Sequence, residues 1–346
     1  VAFAIVALGT STYAWFTLSG TATAGSFNAQ VVAGNGLEFA TEKTETDVTK
    51  MAWITKNTSS EMTNFIFGDA TKAGNFKFND KTSTDGTTIK DLAGTAYAVA
   101  SNESPAYGGA NTSDAGYIYF KLYFKITSAT EVASKTVYLD VSASDFTSLG
   151  VQWIMDTDLT DSKIPANYKT ANTHANLTKG TSAKWYAVNA SRISFTDANS
   201  TATDKTTIYA PNKTITTTSG ETTTTTNTNV GNDIDLVTSS YNWLKDFDTK
   251  WVDTTTPADG VMDEKQLNHT QPTTSNIDRD YNSKDSTNKY DIAVCTCVPN
   301  GEDETSKTLY GSCEIRIWLE GWDADCINAI MGDTCSFGFV FTIEQE

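Results

Sequence analysis

The sequence predicts a mainly β fold: a jelly-roll-like β-sandwich with long polar insertions, one or two short helices and a protruding hydrophobic N-terminal segment. Three observations lead there. Short apolar runs recur along the chain, separated by Gly, Asn, Asp and Thr clusters. Ser and Thr make up roughly a quarter of the residues, and Thr suits a half-buried pleated surface. The opening stretch, VAFAIVALGTSTYAWFTLSG (Val1 to Gly20), carries no charge, and the first charged residue is Glu38.

From residue 26 the strand-like runs come in order. SFNAQVV, GLEFA, MAWIT, FIFG, NFKFN and TAYAVAS are short and bounded by turn residues. GYIYFKLYFKIT (Gly116 to Thr127) is the clearest of the longer ones, followed by VYLDVS, VQWIM, RISFT and TIYA. The last third carries YDIAVCTCV, SCEIRIWLEG and TCSFGFVFTIE. In the last run Cys335, Phe337, Phe339, Phe341 and Ile343 alternate with Ser336, Gly338, Val340 and Thr342. A period of two marks a strand with one face in a core. One stretch reads as helix, because SSYNWLKDFDTKWVD spaces Tyr241, Leu244, Phe247 and Trp251 by three and four residues. Residues 327–331 read as a short helical turn.

The region from about 156 to 231 is polar and includes TITTTSGETTTTTNTN (Thr214 to Asn229). Such a tract has little apolar surface to bury. It reads as an exposed hairpin tip or loop inserted into the sandwich. The predicted organisation is thus an N-terminal assembly segment, 1–25, and a β-sandwich domain, 26–346, bearing this Thr-rich insertion.

With 346 residues the chain is long enough for a substantial core. Its net charge of −17 repels phosphate backbones and anionic headgroups, so nucleic acid is not an expected partner. All five cysteines lie beyond residue 290. Cys326 and Cys335 flank a short excursion and form the best expected disulfide. Cys297 and Cys313 form a second across neighbouring strands, which leaves Cys295 odd. Zinc is the rival reading, but His174 and His269, the only histidines, sit far from the group in sequence.

No H-E-x-x-H, Gly-x-Ser-x-Gly or Gly-rich phosphate loop occurs. No enzyme activity is expected, although the many carboxylates leave a glycosidase pair uncounted. Asp156, Asp158 and Asp161, and also Asp323 and Asp325, are oxygen ligands of the kind calcium takes. Neither group has the spacing of an EF-hand loop, so polar turns are the plainer reading and no cofactor is expected.

The opening segment poses the functional question. Burying Val1, Phe3, Ile5, Val6 and Leu8 is worth roughly 1.5–3 kcal/mol each, so another surface is expected to cover them. As a helix, 1–16 would span about 24 Å, short of a bilayer. As an extended strand, it would fill a groove on a neighbouring subunit. A remnant of a secretory signal, with a cut after Ala14, and folding back into its own core are the remaining options. A head-to-tail cover is heterologous and propagates into a filament.

TYAWFTLSGTATAGSFNAQVVAGNGLEFA (Thr12 to Ala40) resembles the start of exported proteins with a SipW-dependent signal peptide, the group of TasA- and camelysin-like fibre proteins. The matching pieces are Tyr13-Ala14-Trp15-Phe16, the spacer Thr17 to Gly25, and an alternating run from Ser26. EIRIWLEGWDADCINAIMGDTCSFGFVFTIE (Glu314 to Glu344) is similar to the closing strands of such surface proteins. Together these cover about 60 residues at the two ends. The resemblance implies a jelly roll, export, and assembly into extracellular fibres by donor-strand complementation. In that family the hydrophobic run is removed. Its retention here is similar instead to type IV and archaeal-type pilins, whose acidic residue near the N-terminus this chain lacks.

The expected function is therefore a structural subunit of an extracellular, cell-surface filament. It would polymerise with identical subunits through Val1, Phe3, Ile5, Val6, Leu8, Tyr13, Trp15 and Phe16, and meet the membrane only before assembly. A membrane-tethered surface adhesin, with a ligand the sequence does not name, is the alternative, and a secreted hydrolase the third.

Overall fold

The computed structural model describes residues 22–23, 29–33, 36–42, 45–68, short pieces of 73–89, and 116–154 without 142. It also describes 178–219 without 179, 203–204, 210 and 212, then 222–228, 292–301, 306–320 and pieces of 326–343. The first strands are β1 (Ala22–Thr23), β2 (Ala29–Ala33), β3 (Leu37–Ala40), β4 (Lys77–Phe78), β5 (Asp80–Lys81) and β6 (Ile118–Val132). Next come β7 (Lys135–Leu139), β8 (Asp145–Ser148), β9 (Val151–Ile154), β10 (Ser182–Trp185), β11 (Ser191–Asp197) and β12 (Thr206–Tyr209). The last are β13 (Lys213–Ser219), β14 (Thr222–Thr228), β15 (Ile292–Pro299), β16 (Ser306–Glu320) and β17 (Cys335–Ile343). Helix α1 (Ser59–Phe67) follows β3, and a 3-10 turn (Ala187–Ala190) precedes β11.

The protein is mainly β, built on a curled, largely antiparallel sheet of eleven strands among the described residues. β16 is its axis. One edge pairs with β6 from Thr308–Thr127 to Ile317–Ile118, and the other with β11 from Ser191–Leu319 to Asp197–Cys313. β12 extends the sheet beyond β11, and β3 beyond β6. β15 then carries the sheet around. Its last residues pair with β16 (Val298–Tyr310, Pro299–Leu309) and the rest with β7, which pairs in turn with β17. β8 lies along the first half of β17, and β2 runs parallel to β17 at the end of the order.

Alternation explains why these segments are strands. In β6, Phe120, Leu122, Phe124 and Ile126 are buried in the main core while Lys121, Tyr123 and Lys125 are half-buried on the other side. In β16, Cys313, Ile315, Ile317 and Leu319 face the core. In β17, Cys335, Phe337, Phe339 and Phe341 do so, with Ser336, Gly338 and Val340 half-buried between them. The period of two in this last run is present as expected.

The curl brings these faces together. Phe339 meets Phe120 (ring centroids 6.1 Å apart) and Phe195 (6.3 Å), and Phe341 meets Phe124 (5.1 Å) and Phe195 (6.4 Å). Most of these crossings are edge-on, the arrangement that aromatic quadrupoles favour.

MAWIT, read as a strand, contributes only the bridge of Ile54 with Phe39. Two further expectations need correction. FIFG, read as a strand, is the end of α1. Thr58 caps this helix: its hydroxyl accepts from the Glu61 N–H (3.2 Å), and the Glu61 carboxylate accepts from the Thr58 N–H (2.7 Å). This capping box starts the helix, and Met62, Phe65, Ile66 and Phe67 turn inward. Thr58→Ala is expected to cost about 1 kcal/mol in urea unfolding. The Thr58 N–H and hydroxyl hold the Glu61 carboxyl below its ordinary range. A depressed carboxylate contributes its stability at neutral pH and loses it as pH falls through the folded value. The protection factors of the α1 amides, measured against the intrinsic exchange rate at each pH, should therefore fall on acidification below the usual carboxylate range.

The second correction concerns the cysteines. Neither Cys326–Cys335 nor Cys297–Cys313 is bonded; all five cysteines are free thiols. Each sits in the core as a small apolar side chain, at most 3% exposed. In the Thr-rich tract, β13 and β14 pair with each other from Lys213–Thr228 to Ser219–Thr222. The expected helix at 239–253 lies outside the described residues, as does most of the turn at 327–331.

Candidate functional site

The assembly surface expected from the sequence is approached through the strand that follows it. β2 begins at Ala29, and its register on β17 runs parallel from Phe337–Ala29 to Phe341–Ala33. Among the described residues β17 is its only strand partner, so its outer row of main-chain groups faces no other strand. Such an edge is a template for strand addition. Val1, Phe3, Ile5, Val6, Leu8, Tyr13, Trp15 and Phe16 all lie outside the described residues. So do Asp156, Asp158, Asp161, Asp323 and Asp325.

The large apolar side chains that stand exposed among the described residues are Leu149 (70%), Ile154 (66%) and Val298. Leu149 and Ile154 bracket β9, whose strand partner is β10, in a ribbon separate from the main sheet.

Two carboxylates hold loops at the sheet's ends. Asp333 is 1% exposed. Its Oδ1 accepts from the N–H groups of Gly150 and Thr334, and its Oδ2 from that of Ala187, each at 2.7 Å. One side chain thus ties the turn after β8, the 3-10 turn and the approach to β17. Asp197 does similar work at the end of β11. It accepts from Asn199 (3.0 Å) and Ser200 (3.2 Å) through Oδ1, and from the Thr296 N–H of β15 (2.9 Å) through Oδ2. Both carboxylates accept from backbone amides, which is a structural arrangement.

The outer face of β6, β16 and β11 holds a feature that sequence reasoning missed. Arg192 and Arg316, two of only three arginines, stand on adjacent strands and are nearly buried. The Arg316 guanidinium lies 4.9 Å from the Tyr119 ring centroid and bonds Glu314 Oε2 at 3.0 Å. The Trp318 indole N–H donates to Glu320 Oε2 at 3.1 Å. Ile89, Tyr117, Tyr119, Ile208 and Trp318 form a small apolar cluster there. The segment around Gly86 lies on top, and the Ser194 hydroxyl donates to the Gly86 carbonyl at 2.6 Å. Gly86 has φ +68°, and a Cβ there would fall 2.9 Å from Ile208, Ser194 and Thr206. The glycine is what lets the segment lie flat. The available signal was the charge–apolar alternation of Glu314, Arg316 and Glu320, which reads equally as an open solvent face. Gly86→Ala should lower the urea midpoint, because the residue is strained and the contact is tight.

Comparison with family models, with curated proteins and with solved structures finds no match to this chain. Among the described residues no group of three or more His, Cys, Asp or Glu is placed to hold a metal ion. No helix among them is long and apolar enough to cross a membrane.

Proposed function

We propose that this chain is a structural subunit of an extracellular surface filament, of the pilus or biofilm-fibre kind. It polymerises head to tail with identical copies through residues 1–16, either as a donated strand or as a helix buried among copies of itself. The observation that carries the reading is the charge-free apolar run at 1–16, followed at Ala29 by β2, a strand at the edge of the sheet. An apolar run gains by covering itself with a second copy, and a sheet edge accepts an added strand. In this reading the body, 26–346, is a jelly-roll-like β-sandwich. The ring contacts that β17 makes with β6 and β11 support two facing layers.

Negative-stain electron microscopy of the purified full chain tests it. Filaments are expected, and a chain lacking residues 1–16 is expected to sediment as a monomer with an unchanged far-UV circular dichroism spectrum. A full chain that stays monomeric, or a truncated chain that still forms the same filaments, would sink the proposal. A second reading, a membrane-tethered adhesin, draws on the β13–β14 hairpin, which among the described residues forms a sheet of its own. It predicts that truncation releases the chain from membranes and leaves ligand binding intact.

A further inference from the structure

The connection from β15 to β16 starts with Asn300–Gly301. β15 ends at Pro299, and its ladder with β16 consists of the rungs Val298–Tyr310 and Pro299–Leu309. Asn300 and Gly301 come just after that ladder, and both are exposed. Gly301 has φ +106°, and a Cβ placed on it would meet nothing within 4 Å. The space on that side of the pair is open.

Asparagine is a labile side chain because its own backbone attacks it. The main-chain nitrogen of the next residue adds to the side-chain carbonyl carbon, and the ring closes only where that nitrogen is unhindered and free to turn. Glycine, without a Cβ, hinders it least. Asn–Gly occurs twice in the chain, at 35–36 and 300–301. Asn35 lies outside the described residues, but Gly36 is tied to β6. Its carbonyl accepts from the Thr127 N–H at 3.0 Å, and a Cβ on it would lie 3.2 Å from the Thr127 carbonyl oxygen. The other described asparagines are placed worse. Asn57 and Asn189 are buried, Asn64 is inside α1, and Asn227 is inside β14. Asn199 is exposed, but the Ser200 N–H that would attack it donates to Asp197 Oδ1 at 3.2 Å, and its own Oδ1 accepts from the Ser312 hydroxyl at 3.1 Å.

We propose that Asn300 is a self-modification site, at which the exposed Asn300–Gly301 turn deamidates to an aspartyl and an isoaspartyl linkage. The only co-reactant is water. The inference stands whether or not the chain polymerises.

The Gly301 nitrogen gives up its proton to solvent and attacks Asn300 Cγ. An N–Cγ bond forms, the Cγ–Nδ2 bond breaks, and the side-chain nitrogen takes up a proton from solvent and leaves as ammonia. The product is a cyclic imide. Water then adds to one of the two ring carbonyls and breaks its bond to the Gly301 nitrogen, which regains a proton. Opening at Cγ leaves an aspartate. Opening at the main-chain carbonyl carbon leaves an isoaspartate, in which the chain runs through the Asn300 Cβ and Cγ. One water enters, one ammonia leaves, and nothing is oxidised or reduced. Either product adds a negative charge to a chain already at −17. The isoaspartate also lengthens the main chain by a methylene, next to the Pro299–Leu309 rung.

The purified full chain, kept folded for days in warm, mildly alkaline buffer, is sampled at intervals, digested and mapped by mass spectrometry. The peptide carrying Asn300 is expected to gain the small mass difference between an OH and an NH2 group and to separate into two species, aspartyl and isoaspartyl. It should do so before the peptides carrying Asn35 or Asn199 change. Ion exchange of the intact chain should show a more acidic form growing in step. Asn300→Gln, whose ring would need one more member, should lose that early form. Conversion should also be slower in mildly acidic buffer, where the Gly301 nitrogen holds its proton more firmly. An Asn300 amide that is still intact when Asn35 or Asn199 has converted, or that stays intact throughout, would overturn the site. Aspartate without isoaspartate, or a rate that does not rise with pH, would overturn the cyclic-imide route. Should Asn300→Gln fail to fold, the peptide map of the unaltered chain decides the matter alone.

Discussion

Phe339→Ala is expected to destabilise the protein by about 3–5 kcal/mol, among the largest effects of any single truncation in the core. Phe339 is fully buried, and its ring has neighbours from every side of the curl. Phe120 comes from β6, Phe195 from β11, Phe146 from β8 at 5.3 Å, and Phe341, stacked at 6.0 Å, from β17 itself. Removing the ring loses its transfer free energy and leaves a void that these rigid neighbours, fixed on paired strands, cannot close. Phe339→Leu keeps most of the volume and should cost far less. A double-mutant cycle between Phe339 and Phe195, read by urea unfolding, should give a coupling of about 0.5–1.5 kcal/mol. Additive single effects would mean that β17 does not face β11, and the curl described here would be wrong.

Asp333→Ala should cost about 3 kcal/mol or more, despite removing only one small side chain. The carboxylate accepts three backbone N–H groups at 2.7 Å in a site almost closed to water. Hydrogen bonds to a charged group contribute about 1.5–3 kcal/mol each, and a buried donor left without an acceptor costs a further penalty. Alanine strands all three donors together. The Asp333→Asn variant keeps one acceptor oxygen but points an amide N–H at a backbone N–H, so its stability should fall between those of the parent and the alanine variant. The loss should also be local before it is global, with the amides of Gly150 and Ala187 exchanging earlier than those of β6. An Asp333→Ala protein with the urea midpoint of the parent would show that water or another group already serves these amides.

Much of the strand architecture was legible, because half-buried strands write their orientation into alternating residues. β17 could be read from its phenylalanines and β6 from its mix of aromatics and lysines. The helix at 59–67 was harder. Phe65, Ile66 and Phe67 are β-formers by propensity, and what overrides them is the upstream cap at Thr58 and a core that accepts Met62 with them. The cysteines were misleading for a different reason. Their clustering in sequence is real, but spacing along the chain does not say which side chains the strands bring face to face, and the fold buries all five as free thiols. The buried arginines were illegible because a charged residue alternating along a strand looks the same whether a loop covers it or water does. For the candidate site, the sequence supplied the apolar run, and the fold supplied the edge strand that follows it.

The parallel pairing of β2 with β17 has a mechanical side. These strands are the second and the last in chain order, and they lie side by side in the same direction. A pull on the start of β2 and the end of β17 therefore acts at opposite ends of the pair. The load falls along the strands, on every rung from Ala29–Phe337 to Ala33–Phe341 at once, so they must slip lengthwise together instead of peeling apart one by one. A load applied across this pair would meet the stiff direction of the sheet.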